Sequence, residues 1–266
     1  AMTDAGGELH QQAKFRVALD AVNGAAGAAS RRLLESLGCH VDILYEEPTG
    51  RFPRTPEPVA ENITELCRFV REGEYDVGFA LDPDGDRLAL VDERGVALGE
   101  DATLALATWF VLSRGPGVVV TNLSTSAKID AVAKRYDSTV VRAPVGEANV
   151  VQEIIHSKAV IGGEGNGGVI LPQVHLGRDA SVGMSLVLGL VAATGKKFSA
   201  LAAELPPLVM VKQKITAPSD LHLESLREKL SALIPGCEID SRDGIRVSRG
   251  LEWIHVRASG TEPVVR

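Results

Sequence analysis

Aromatic side chains are only 4% of the 266 residues, and basic residues form nothing larger than the dipeptides Arg31-Arg32 and Lys196-Lys197. With a formal charge of −7, such a surface offers neither stacking platforms nor the positive field that nucleic acid requires, and no nucleic-acid partner is expected. Cysteine is equally sparse: Cys39, Cys67 and Cys237 are odd in number, far apart and in no C-x-x-C spacing. That indicates neither a disulfide framework nor a cysteine zinc site, and free thiols fit a reducing cytoplasm. The longest apolar run, residues 182–193, is shorter than the roughly 20 residues that cross a bilayer. The first residues lack the charged-then-apolar text of a secretory signal, so no membrane partner is expected.

What remains is an ordinary globular composition, 45% hydrophobic and 24% charged, enough to bury a core in one large domain or in two or three small ones. Ala1 ahead of Met2 reads as an added residue. From Lys14 the text reads strand, turn, helix, strand: 15–19 is β-rich, Asn23-Gly24 breaks it, and 28–37 has helical periodicity before Gly38. A Pro/Gly-rich connection over 48–58 leads to a helix at 59–71, a buried strand at 77–81, a strand at 88–91 and a helix at 102–112. A similar order recurs with strands at 118–120, 140–141 and 159–161 and helices at 127–135 and 148–156. The halves share wording, since Leu98-Gly99-Glu100-Asp101-Ala102 opens one long helix and Leu176-Gly177-Arg178-Asp179-Ala180 opens another.

We therefore expect an α/β protein of two related three-layer domains with mixed sheets, over 11–114 and 115–206, followed by a smaller α+β domain over 207–266. In the last, a strand is expected at 209–215, a helix at 223–233, and strands at 245–247 and 253–256. The text stops at Val264-Val265-Arg266, in what reads as the middle of a strand.

Asp82-Pro83-Asp84-Gly85-Asp86-Arg87 places carboxylates at alternate positions between two apolar strands. A tight loop can turn Asp82, Asp84 and Asp86 toward one point, where hard oxygen ligands favour Mg2+ or Ca2+, and three carboxylates with open positions suit Mg2+ in contact with a phosphate. A solvated acidic turn is the plainer alternative. An EF-hand would need glycine where Arg87 stands, and helical rather than β-rich flanks. Arg87 itself, beside such a cation, can grip a phosphate bidentately.

Gly163-Glu164-Gly165-Asn166-Gly167-Gly168 formally matches G-x-G-x-x-G, but the strand-like Val169-Ile170-Leu171 follows where a dinucleotide site needs a helix. A flexible turn remains, expected to let Glu164 and Asn166 stand clear of the backbone, with Glu164 able to accept from sugar hydroxyls. A structural hairpin would read the same way. Arg257-Ala258-Ser259-Gly260-Thr261-Glu262-Pro263, with Arg266 beyond, combines cations, hydroxyls and a glycine that permits a nest of N–H groups for a phosphate. An ordinary surface turn is again the alternative.

These segments, in this order, resemble the alpha-D-phosphohexomutases: the phosphoglucomutases, phosphomannomutases and phosphoglucosamine mutases. The resemblance runs from about Lys14 to the end. It implies Asp82, Asp84 and Asp86 as Mg2+ ligands and Arg87 beside the transferred phosphate. It also implies Glu164, Asn166, Arg178, Arg257, Ser259, Gly260, Thr261 and Arg266 as substrate contacts. The family has four domains, and the text is similar to the second, third and most of the fourth. No Thr-Ala-Ser-His-Asn-Pro-type loop, whose serine carries the phosphate, occurs here. Ser124-Thr125-Ser126 reads as the start of a helix instead.

The turn Val145-Gly146-Glu147-Ala148-Asn149 lacks the Lys or Arg often found there, so the resemblance leaves the general acid/base without a residue. The implied substrates are hexose phosphates and bisphosphates, and the first domain would be a covalent partner in the parent protein. The glycine-rich wording is similar to the branch that holds phosphoglucosamine mutases, which favours glucosamine or glucose over mannose. Two rival readings stand beside it, a non-catalytic sugar-phosphate-binding module and a metal-dependent phosphatase with Asp82 as nucleophile.

Overall fold

The computed structural model of the chain describes residues 14–216, 223–258 and 264–266. Its first part runs β1 (Arg16–Asp20), α1 (Gly27–Ser36), β2 (His40–Leu44), α2 (Thr64–Gly73), β3 (Val77–Leu81) and β4 (Leu88–Asp92). The sheet order is β2-β1-β3-β4, parallel except for β4, which returns antiparallel on β3. Every residue of β3 and β4 is buried, as a sheet covered on both faces demands.

The period of two decides which face meets what. Val17, Leu19, Val77, Phe79, Leu81, Leu88 and Leu90 point into the main core. The smaller Ala18, Ala80 and Ala89, with Val91, face Leu66 and Val70 of α2.

The second part is α3 (Glu100–Leu112), β5 (Val118–Asn122), α4 (Lys128–Lys134), β6 (Thr139–Ala143), α5 (Glu147–Ser157), β7 (Ile161–Glu164), β8 (Gly168–Ile170), α6 (Ala180–Thr194) and α7 (Phe198–Ala203). Its sheet order, β6-β5-β7-β8, repeats the first, again with only the last strand antiparallel. The duplication expected from wording is thus a duplication of topology, and the mixed-sheet α/β class holds.

Helices α3 and α6 are apolar nearly all round and pack on each other inside one core shared by both sheets. Helix α3 also touches β4 of the first sheet and β7 and β8 of the second, so it straddles the halves. Where the sheets abut, Leu88 N–H donates to Gly167 O at 3.1 Å and Arg87 bridges to Gly168. The loop before β4 and the loop before β8 therefore lie side by side.

The third part holds β9 (Ile215–Thr216), α8 (Leu223–Leu233), β10 (Glu238–Asp240), β11 (Ile245–Arg249), β12 (Glu252–Val256) and β13 (Val264–Val265). Strands β10, β11 and β12 form an antiparallel sheet, and Ile245, Val247, Ile254 and Val256 pack with Leu226, Leu230 and Ile234. The expected strand at 209–215 is corrected. Only Ile215 of that stretch joins a ladder, with Val265, while Val209 is 89% exposed. β-rich text makes no strand without a sheet edge to receive it. Among the described residues no helix is long and apolar enough to cross a membrane.

Candidate functional site

Asp82, Asp84 and Asp86 occupy the loop between β3 and β4, and one carboxylate oxygen from each lies within 4.8 Å of the others. Asp82 is 4% exposed, and its Oδ1 accepts from the backbone N–H groups of Asp86 and Arg87, each at 3.0 Å. These two bonds fold the loop back on itself, which is how alternate positions converge. Neighbours then pin it: Ala25 N–H donates to Pro83 O at 2.8 Å and Ala180 N–H to Gly85 O at 3.1 Å.

Burial, followed by the Asp86 and Asp84 carboxylates, pushes Asp82 up to about 7. Asp86 Oδ1 is buried with no hydrogen-bond partner. A hard-oxygen set whose charges oppose one another and whose inner oxygen lacks a donor fits a divalent cation, so these residues could hold a metal.

Two arginines flank the trio. Arg87 Nε lies 3.4 Å from Asp82 Oδ2 and 3.7 Å from Asp86 Oδ1, while its Nη1 meets Glu57 Oε1 at 3.3 Å. Buried Arg87 Nε makes no hydrogen bond despite those ion pairs. Arg178, two residues before α6, ion-pairs with Asp86 through Nη2, donates from Nη1 to Glu164 Oε2 at 2.9 Å, and sets Nε 3.3 Å from Glu147 Oε2. Its backbone N–H donates to Glu147 Oε1 at 2.8 Å. The acidic loop and the glycine loop are thus joined through one guanidinium.

Glu164 corrects the expectation of a residue standing clear of the backbone. It ends β7, is 5% exposed, and accepts at Oε1 from Asn122 Nδ2 at 2.7 Å and from Gly146 N–H at 3.2 Å. Both its oxygens are engaged. Two hydrogen bonds tie the loop down: Gly165 N–H donates to Thr125 Oγ1 at 3.0 Å, and Asn166 Oδ1 accepts from Gly168 N–H at 3.2 Å. Asn122 and Glu147 were not singled out from sequence. Their only local signals are an end-of-strand asparagine and the acid in the Val145–Asn149 turn.

The terminal segment is reached through the same turn. Arg257 Nε lies 3.2 Å from Asp243 Oδ2, and Asp243 Oδ2 accepts from Val145 N–H at 2.9 Å. Arg257 and Arg266 exchange backbone hydrogen bonds of 2.9 Å, so they sit side by side. Ser259, Gly260 and Thr261 lie outside the described residues. His255 Nδ1 meets Ser124 Oγ at 2.8 Å and its Nε2 meets Asp243 O at 2.6 Å, with burial lowering the imidazole below its ordinary range. A continuous polar path therefore runs Arg257, Asp243, Val145-Gly146, Glu164, Arg178, Asp86.

The profile described as Phosphoglucomutase/phosphomannomutase, alpha/beta/alpha domain II, matches residues 3–95, and that of alpha/beta/alpha domain III matches residues 99–209. A phosphoglucomutase/phosphomannomutase of Thermococcus kodakarensis is 38% identical over 258 residues, 94% of this chain and 55% of its own length. A protein of Methanopyrus kandleri named "Probable phosphoglucosamine mutase" is 37% identical over 255 residues, 95% of this chain and 56% of its own. The crystal structure of a phosphoglucomutase/phosphomannomutase family protein from Burkholderia thailandensis superposes with a TM-score of 0.82 at 26% identity, over 99% of this chain and 59% of that one. The chain spans a little over half the length of the curated relatives it matches. With both profiles aligned end to end on two sheets of identical order, the chain belongs to the phosphoglucomutase/phosphomannomutase family.

Proposed function

We propose that the chain is the cation-, sugar- and phosphate-binding portion of a phosphohexomutase. The parent protein is an intramolecular phosphotransferase that interconverts hexose 1-phosphate and 6-phosphate through a phosphoserine enzyme and a bisphosphate, with glucosamine or glucose favoured as the hexose. The phosphoserine belongs to a domain that this sequence does not contain. The observation that carries the reading is the single network from Asp86 through Arg178 to Glu164, which joins the acidic and glycine loops; we read the space they border as the substrate cleft.

In that cleft Asp82, Asp84 and Asp86 would hold Mg2+, which when bound supplies Lewis-acid neutralisation of a phosphoryl oxygen. Arg87, held beside the trio by Asp82 and Asp86, would donate to the same phosphate group and fix its orientation. Glu164, held by Asn122, Gly146 and Arg178, would meet the sugar together with Asn166 and Arg178. Arg257 and Arg266, with Ser259, Gly260 and Thr261, take the idle phosphate. Free Cys39, Cys67 and Cys237 accord with a cytoplasmic location. A phosphatase using Asp82 is disfavoured, because that carboxylate is buried and bonded to two backbone N–H groups.

Calorimetric titration with glucose 1,6-bisphosphate in Mg2+ tests the assignment. Saturable binding that weakens about tenfold or more in Arg257→Ala is expected, the worth of a charge-assisted hydrogen bond. Absence of binding, or equal binding by the variant, would overturn it. The 266-residue chain by itself should convert no glucose 1-phosphate to glucose 6-phosphate, because the nucleophile is missing.

A further inference from the structure

Arg178 carries more negative charge around it than a substrate contact needs. Carboxylates from three separate segments surround it: Asp86 of the acidic loop, Glu164 of the glycine loop and Glu147 at the start of α5. Its side chain is 15% exposed, and buried Nε makes no hydrogen bond. The seat is built for it. A Cβ on Gly168 would stand 2.3 Å from Arg178 Cδ and 2.9 Å from its Cγ, so only glycine leaves room for the stem. The backbone of Arg178 is also fixed, by Glu147 on its N–H.

Asp86 divides its two oxygens between different tasks. Oδ2 is taken by Arg178, whereas Oδ1 is buried, has no hydrogen-bond partner and lies 3.7 Å from Arg87 Nε. We propose that Arg178 is a positioning residue that acts as a built-in competitor of the cation. It ties the acidic loop to Glu164 while holding back part of the Asp86 charge, so that Asp86 offers a metal one oxygen and a reduced field. Anything that draws the guanidinium from its seat, such as a phosphoryl group arriving in the cleft, returns that charge to the cation. Cation and anion would then strengthen each other's binding through one side chain. This inference rests on the cation reading of Asp82, Asp84 and Asp86.

Two effects oppose each other when Arg178 is lost. Asp86 loses an orienting partner, which is worth the freezing of one short side chain. A unit positive charge also leaves the neighbourhood of a divalent ion, which in partly solvated surroundings is worth about tenfold in affinity or more. The second wins, so the sign of the change is diagnostic. A loop merely damaged by the substitution binds the cation more weakly, and only release of a competing charge makes it bind more tightly.

The test is titration of Mn2+, as a paramagnetic stand-in for Mg2+, into the full chain without sugar phosphate, read by electron paramagnetic resonance of the free ion. Circular dichroism checks that each variant is folded. Arg178→Met should lower the dissociation constant about tenfold. Gly168→Ala, which displaces the same guanidinium without altering charge, should lower it severalfold. A dissociation constant unchanged or raised in Arg178→Met overturns the inference, as does an unchanged one in Gly168→Ala, which would leave only through-space charge at work. If wild type binds no Mn2+, or Asp84→Asn binds it equally well, the cation reading fails instead.

Discussion

Replacing Gly167 by alanine should open the seam on which the site depends. Gly167 has φ +93, and its carbonyl accepts the Leu88 N–H that joins the two sheets. A Cβ there would lie 2.4 Å from Leu88 O and 3.1 Å from both Leu88 N and C. These are backbone atoms, so no rotamer change relieves the overlap. The left-handed backbone costs a non-glycine residue about 1–3 kcal/mol, and a displaced Leu88–Gly167 hydrogen bond about 1 kcal/mol more. We expect a total of roughly 2–4 kcal/mol.

Gly195 is the control, because it too has positive φ, at +65, but its Cβ would meet nothing within 4 Å. At roughly 2–4 °C per kcal/mol for domains of this size, Gly167→Ala should lower the first thermal transition by about 5–15 °C. Gly195→Ala carries the backbone cost without the lost hydrogen bond, so its drop should be smaller by roughly 2–4 °C. Melting followed by near-ultraviolet circular dichroism decides, since that signal reports tertiary packing. Equal midpoints for the two variants would refute the view that the seam at Leu88 is a rigid backbone contact.

Three further outcomes follow from buried charge. Asp20 is 1% exposed and paired with Arg54 Nε at 2.7 Å, so Arg54→Met should cost about 3–5 kcal/mol in urea denaturation by leaving a buried carboxylate unpaired. A loss below about 1 kcal/mol would mean that the carboxylate finds water or another donor. His255 is held by burial below its ordinary 6.5, so the unfolded chain binds the proton more readily and stability should fall as pH drops below 6.5. His255→Gln should flatten that slope between pH 7.5 and 5.5 in thermal melts, roughly in proportion to the proton no longer taken up.

Asp82, raised from 3.8 to about 7, has the opposite sign. In chelator its contribution is complete below 3.8 and is lost as pH rises through about 7. A cation competes with that proton, so Mg2+ should raise the melting midpoint more at about pH 8 than at about pH 6. An equal rise at both would separate Asp82 from the cation.

Local text determined a good deal of this molecule. A short apolar run bounded by polar loops, such as Val77–Leu81, reads as a strand covered on both faces. Alternating aspartates between two such strands make a loop that must gather charge. The repeated wording before α3 and α6 announced a repeated topology, which the identical sheet orders bear out. Tertiary structure alone decided what Glu164 touches, since its partners Asn122, Gly146 and Arg178 stand 42, 18 and 14 residues away. It likewise decided that Arg257 reaches the glycine loop through Asp243 and Val145, and that 209–214 joins no ladder while Ile215 does. Propensity and periodicity are short-ranged, whereas these contacts exist only because two sheets close edge to edge at Leu88 and Gly167 and bring distant loop ends to one place.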